Sequence, residues 1–570
     1  MKKSLLLFLS AGISLQISAQ NVCDKPQSQI DLHANNISAR ILNGGYLFSG
    51  EGQFVLNPPA PGLPAPSTMI GSGFWLGGLD PAGNLKISAV TDFGSNPGGD
   101  FWQGPLSLQG TTSAFDCSNW DRHFRVTGAE IADFLTALPN LANDPDQALL
   151  DFKAIMGWPG IGNPYFANAW GFTLPNSNSL LAPFVDTDQD GIYNPLHGDY
   201  PAVVLHNKPP FVPAEIIWTV FNDQGAGAPH HETNGKAFQV EVQLTAWAFN
   251  CPDQPVLNNT VFTSHKIINR ASDASDDVFI GYWVNFGIGC PDDDYVGCKS
   301  DLNCFFGYNK EAVDGSTSMI CDDNQNFQTT PPVQSVTFLN KRLDRFIAYP
   351  KSVFPTTPGL TTGDAPAYYN MLRGLWSDGT PQSGSGNGYD PLTDTPTYYG
   401  FDGDPSDPFA WTMCSANLPN ANNYRAVASH NLGQLLPGQV EELSLAWTAH
   451  PDPDLPCSLG TTFDDVASIH NLFDNNFTGV CAPVLTASER NPGTIDLFPN
   501  PATDAFTLRS ENLPVRDIRI YAADGRWIKT ISDLPKGATT VEVKDLPAGM
   551  YEVQMRTDAG NLSRKLCIVK

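Results

Sequence analysis

Glycine and proline set the first limit on this chain. It holds 50 Gly and 47 Pro among 570 residues. Proline inside a helix removes a backbone hydrogen bond, and glycine there carries a large entropic cost. Many turns and few long helices are therefore expected. Hydrophobic residues make up 41%, enough to build a real core, which excludes wholesale disorder, a coiled coil or collagen. The length suits about three to four domains, or one large sandwich with a small module.

Between the turn residues lie strand-like runs. They include Gly73–Gly77, Leu85–Val90, Glu215–Phe221, Ala237–Phe249, Thr260–Ile268, Val278–Phe286, Arg425–Leu432 and Gln439–Trp447. In Ala237–Phe249, Phe238, Val240, Val242 and Leu244 alternate with Gln239, Glu241, Gln243 and Thr245, which predicts one apolar and one polar face. Helical patterns are confined to 129–156 and to Thr461–Asn475, where Phe463, Val466, Ile469, Leu472 and Phe473 share a face. The expected fold is mainly β: a large β-sandwich, jelly-roll-like, with long loops. One decorated domain and two packed subdomains both fit residues 20–485.

Charge divides the chain. Residues 491–570 carry 11 basic and 10 acidic residues, while 20–490 carry 19 basic and 49 acidic. The whole chain stands at −27. That balance argues against nucleic acid as a partner, because phosphate is bound by clustered Lys and Arg. The boundary falls in a polar linker, 486–493, with turn residues.

At the N-terminus, Lys2 and Lys3 precede an apolar stretch, Ser4–Ile17, and the small residues Ser18 and Ala19. This reads as a secretory signal peptide, 1–19, cleaved between Ala19 and Gln20. The apolar run is shorter than the ~20 residues that span a bilayer, and no later transmembrane segment is expected. Eleven cysteines fit an oxidising destination. Ten lie between 23 and 481, enough for five disulfides, with Cys567 left over.

The tail reads as about seven short strands from Ile495 to Val569, a small sandwich. Leu497-Phe-Pro-Asn-Pro501, Tyr521-Ala-Ala-Asp-Gly525, Leu546-Pro-Ala-Gly-Met-Tyr551 and Leu566-Cys-Ile-Val-Lys570 follow in order. With these motifs, residues 494–570 resemble the type A C-terminal sorting domain of the type IX (Por) secretion system. The resemblance implies an immunoglobulin-like sandwich that serves as an address. It implies a translocon that reads the tail and a sortase-like peptidase that commonly removes it. Pro499, Asn500, Pro501, Gly525, Gly549, Tyr551 and Lys570 mark the sorting motifs, with the glycines and tyrosine in turn and core roles. The cargo resembles a family of large exported proteins with this tail, through Gly73–Asp80, Asp186–Pro201, Val220–Asp223, Asp293–Cys298 and Gly374–Gly379. No activity is established for that family, so the likeness implies location only.

The sharpest chemical motif is Asp186-Thr-Asp-Gln-Asp-Gly-Ile-Tyr-Asn194. Carboxylates at positions 1, 3 and 5 before a glycine match the front of a calcium loop. Asp186, Asp188 and Asp190 are the expected ligands, with the Ile192 carbonyl, Asn194 and Asp199. His197 stands where an EF-hand has its bidentate glutamate, so the loop looks more like the short calcium loops of thrombospondin type 3 repeats. Structural calcium is the expected cofactor. Weaker acidic groups are Asp292–Asp294 with Asp301, Asp322 and Asp323, and the set Asp390, Asp394, Asp402, Asp404 and Asp407. His230-His231-Glu232 reads as a loop, since neighbours on a strand face opposite ways.

No H-E-x-x-H, G-x-S-x-G or G-x-x-x-x-G-K-[ST] occurs. The expected function is a non-enzymatic, calcium-stabilised binding or structural protein of the cell surface or medium, with a glycan or other surface ligand as cargo partner. The alternative is a secreted hydrolase acting on polysaccharide through carboxylates distant in sequence.

Overall fold

The computed structural model describes residues 22–569 apart from 51–53, 59–64, 93–97, 142, 176–180, 317–320, 322–325, 352–356, 419–422, 452–455, 480, 482–494, 511–514, 523–526, 533–538 and 558–559. The signal peptide 1–19, the linker 486–493, Asp322, Asp323, Gly525 and Lys570 lie outside the described residues. The chain divides into two compact units, Met1–Leu485 and Thr486–Lys570.

The first unit is a sandwich of two nine-stranded sheets. Sheet I runs, in spatial order, Gln29–Leu32, Ile37–Leu42, Tyr46–Leu47, Met69–Leu79, Ser275–Phe286, Tyr424–Leu435 and Arg345–Pro350, with Phe54–Leu56 and Leu85–Ala89 attached at the side. Sheet II runs Asp294–Lys299, Cys304–Asn309, Val333–Phe338, Val440–His450, Thr260–Asn269, Val240–Ala248, Glu215–Asn222 and Trp102–Gln103, with Phe124–Thr127 beside Glu215–Asn222. The strongest strands of the sequence thus form the centres of both sheets.

Aromatic side chains fill the space between the sheets. Phe74 of sheet I stacks on His265 of sheet II at 5.6 Å, and Tyr282 meets Trp447 edge-on at 5.2 Å. The Tyr282 hydroxyl and His265 Nε2 lie 2.6 Å apart, both side chains fully buried. Burial pushes the His265 imidazole down to about 3, so it is neutral across the physiological range.

Both outer faces are covered as well. Ile216, Trp218, Val220, Trp247 and Phe262 of sheet II share a second core with the helices Gly128–Leu141, Lys153–Met156, Phe166–Trp170 and Thr462–Asp474. Trp75, Ile87, Trp283 and Ile347 of sheet I pack against the helix Ala365–Leu372. The polar face of Val240–Ala248 is not solvent-facing: Glu241 and Gln243 are 1% and 2% exposed. Glu241 accepts from Arg270 at 3.3 Å, from Gln243 at 2.7 Å and from the Leu106 backbone at 3.0 Å. The three donors at Glu241 lower the cost of burying this polar row.

Four disulfides, not five, form among the described cysteines: Cys23–Cys117, Cys251–Cys481, Cys290–Cys321 and Cys414–Cys457. Cys298 and Cys304 are buried free thiols. The ladder explains why. Cys298 is opposite Phe305 and Cys304 is opposite Lys299, so the two sulfurs project from opposite faces of sheet II.

The second unit pairs a three-stranded sheet, Ile495–Phe498, Ala505–Ser510 and Thr539–Glu542, with a four-stranded one, Trp527–Ser532, Val515–Ala522, Gly549–Thr557 and Gly560–Ile568. Phe506, Leu508, Ile518, Ile520, Val553, Met555 and Leu566 fill its core, and Tyr551 packs there with its hydroxyl on the Pro547 carbonyl at 2.8 Å. Asn500 ties the first motif to the last strand. Its amide donates to the Lys565 carbonyl and its oxygen accepts from Cys567 N, both at 2.8 Å. Pro499 and Pro501 flank it in an exposed turn, and Gly549 opens the strand that carries Tyr551.

Candidate functional site

The 186–199 loop hangs from a stem of its own. Val185 pairs with Tyr200 and Phe184 with Pro201. Tyr193 pins the loop inward: it is fully buried, packs on Phe184 at 5.2 Å and donates its hydroxyl to the Ile155 carbonyl at 2.8 Å. Gly191 takes a φ of 78°, a left-handed turn that favours glycine. The chain doubles back there and brings the far end of the loop onto its start.

Three carboxylates meet as a result. Asp186, Asp188 and Asp199 each offer an oxygen within 4.8 Å of the others. Asp199 is fully buried and braces the loop, accepting from Thr187 N and Asn194 N at 2.8 Å each. Asp186 Oδ2 accepts from Gly191 N at 2.9 Å. Two oxygens stay sealed from water without a hydrogen-bond partner: Asp186 Oδ1 and Asn194 Oδ1. Burial pushes Asp199 up, against its two backbone hydrogen bonds, and Asp188 and Asp186 push the same way. The cationic candidate nearby is His197, whose Nδ1 is 3.3 Å from Asp188 Oδ2. Asp190 is outside the three-carboxylate group; it is exposed and accepts from Ile192 N at 2.7 Å. Ile192 is 46% exposed at the loop's rim.

The other acidic set does not converge. Asp402 accepts from Ser300 N at 3.0 Å, while Asp390, Asp404 and Asp407 each close a turn onto the residue two further on. His230 is no metal ligand in this arrangement: Nδ1 faces the Ile87 carbonyl at 3.1 Å and Nε2 the Asp223 carbonyl at 2.8 Å. Seven of the twelve tryptophans are fully buried, which assigns most of the aromatic content to the cores.

One arrangement has no signature in the sequence. Ser335 Oγ is 2.8 Å from His450 Nε2, and His450 Nδ1 is 3.0 Å from Asp465 Oδ2. The order of contacts is that of a Ser-His-Asp triad. Ser335 is fully buried in its strand, however, and His450 is 3% exposed. The relay therefore fastens the helix Thr462–Asp474 to sheet II through a hydroxyl that is buried in its strand.

Residues 496–569 match the family model described as "Secretion system C-terminal sorting domain". The chain is thus similar, over its second unit, to cargo of the type IX route. The tail interacts with the type IX secretion machinery, and the protein is exported across the outer membrane to the cell surface or the extracellular space. Among the described residues no helix is long and apolar enough to cross a membrane. No curated protein matches the chain. Among solved structures, a polysaccharide lyase aligns at 8% identity and a TM-score of 0.17, over 58% of this chain and 34% of its own. The alignment thus spans about a third of that protein.

Proposed function

We propose that the first unit is a calcium-stabilised binding or structural module, displayed at the cell surface or released after export. The observation that carries the calcium reading is the pair of sealed, partnerless oxygens on Asp186 and Asn194, beside three converging carboxylates. Buried acceptors without donors are costly, and a cation bound by oxygens removes that cost. Extracellular calcium modules bind at roughly 10⁻⁴ to 10⁻³ M. With about 1 mM calcium and a Kd near 10⁻⁴ M, linkage gives about 1.4 kcal/mol of stability. The first test is calorimetry on the full chain: calcium binds in wild type, and Asp188→Ala lowers the number of bound ions by one. An unchanged number of ions in the variant refutes the role of this loop.

The export reading divides into two steps. Residues 1–19 direct the chain across the inner membrane, and a sortase-like peptidase removes the tail after the outer-membrane step. Deleting 491–570 is expected to trap the first unit in the periplasm. Normal appearance of the truncated protein in the medium or on the surface would refute the address role of the tail.

A further inference from the structure

The chain passes from sheet I to sheet II between Ser275–Phe286 and Asp294–Lys299. At that crossing it meets the loop after Cys304–Asn309, and three carboxylates come together away from water. Asp293, Asp294 and Asp314 are 2%, 3% and 1% exposed. Asp293 and Asp314 each place an oxygen within 4.8 Å of the other and of Cys290 Sγ.

Backbone donors satisfy part of this cluster. Asp293 Oδ2 accepts from Gly315 N at 2.7 Å, Asp294 Oδ2 from Ile288 N at 2.8 Å and Asp314 Oδ1 from Cys290 N at 3.0 Å. Asp293 Oδ1 and Asp294 Oδ1 are sealed with no hydrogen-bond partner. The charges nearest them make matters worse: Asp293 and Asp314 repel Asp294, and Glu311 repels both Asp293 and Asp314. The backbone is shaped around the group. Gly289 has a φ of 69°, and a Cβ there would lie 2.0 Å from Asp314 Oδ2. The Cys290–Cys321 disulfide clamps the same loop, which occupies the one sulfur and leaves oxygen donors alone.

An ionised carboxylate in such a place costs several kcal/mol unless a positive charge answers it. We propose that Asp293 and Asp314 bind a hard divalent cation, of which calcium is the reference, with Asp294 adding negative charge beside it. An all-oxygen donor set selects calcium or magnesium over softer metals. Burial raises the carboxyls of Asp293 and Asp314 above the ordinary carboxylate range. This site shares no residue with the 186–199 loop and stands or falls independently of it.

The test counts metal bound to the full chain by equilibrium dialysis against calcium chloride at millimolar concentration. Two calcium ions per chain are expected in wild type, one in Asp188→Ala, one in Asp293→Asn/Asp314→Asn, and none when all three substitutions are combined. If Asp293→Asn/Asp314→Asn carries as many ions as wild type, the proposal is overturned. One ion in wild type, lost with Asp293→Asn/Asp314→Asn and kept in Asp188→Ala, upholds this site and overturns the loop. Asparagine removes the buried charge but sets its amide donor against the N–H of Cys290 or Phe327. The readout is therefore the lost calcium response at this site, not the melting point in chelator. A measurement on wild type alone guards against misfolding. Saturation to ten times the Kd should slow reduction of Cys290–Cys321 about tenfold. An unchanged rate overturns the proposal.

Discussion

Asp186, Asp188 and Asp199 come from one continuous loop, closed by its own two-stranded stem. Asp293 and Asp314 come from two segments that meet only because sheet I, sheet II and a disulfide hold them. In the first group Asp188 is exposed, so water already screens part of the charge. In the second every carboxylate is at most 3% exposed. The same residue type therefore does two different things. Under the calcium reading proposed above, a cation in the loop would order a surface feature, with a small global effect. At the crossing the counter-charge belongs to the packing of the fold itself.

The largest effect that can break this contrast is Asp314→Ala. It orphans the buried N–H groups of Cys290 and Phe327, which Asp314 accepts. Urea unfolding should report a loss of about 2–4 kcal/mol, with or without calcium. A loss below that of Asp188→Ala would mean that the crossing is no more structural than the loop.

Acid separates both sites from the core. The folded pKa of His265, about 3, lies below an ordinary imidazole near 6.5. Its contribution is complete above about pH 6.5 and is lost as pH falls, because the unfolded chain then binds more protons. Between pH 7 and pH 5 the loss is on the order of 2 kcal/mol. The raised carboxyls of Asp293 and Asp314 slope the other way. The His265 share is therefore read as the difference between wild type and His265→Gln in urea unfolding at the two pH values.

Next in size is Asp188→Ala, expected to cost about 1.4 kcal/mol at 1 mM calcium and nothing in chelator. Limited proteolysis should then cut within 186–199 and leave the 287–315 region intact. The smallest effect sharpens the picture of the loop itself. His197→Gln removes an exposed contact to Asp188, and calorimetry should show calcium affinity changed by about twofold or less.

The legibility of these features follows their locality. The turn at Gly191 could be read because a glycine follows alternating carboxylates, but the spacing did not show that Asp199 would join Asp186 and Asp188 while Asp190 stayed apart. The strands could be read because β-branched and aromatic runs are local. The pairing of Asp293 with Asp314 depends on a crossing between sheets, which no spacing encodes. The same holds for Ser335, His450 and Asp465, drawn from two strands and a helix. Alternation in Ala237–Phe249 correctly separated the two faces but could not show that the second face would also be covered. Cysteine counting failed at Cys298 and Cys304 for a related reason: closeness in sequence says nothing about which side of a sheet a sulfur leaves. In the tail, Trp527–Ser532 escaped notice as a strand, since its Lys529 and Thr530 interrupt the apolar pattern.

The bond between Cys251 and Cys481 spans 230 residues and fastens the chain just beyond the helix Thr462–Asp474 back to the segment after Val240–Ala248. A peptidase that trims the protein anywhere past residue 481 leaves an end that cannot unravel inward. Peeling the helix from sheet II would first require breaking a covalent link, not merely a few hydrogen bonds. The first unit can lose its address and keep its hem.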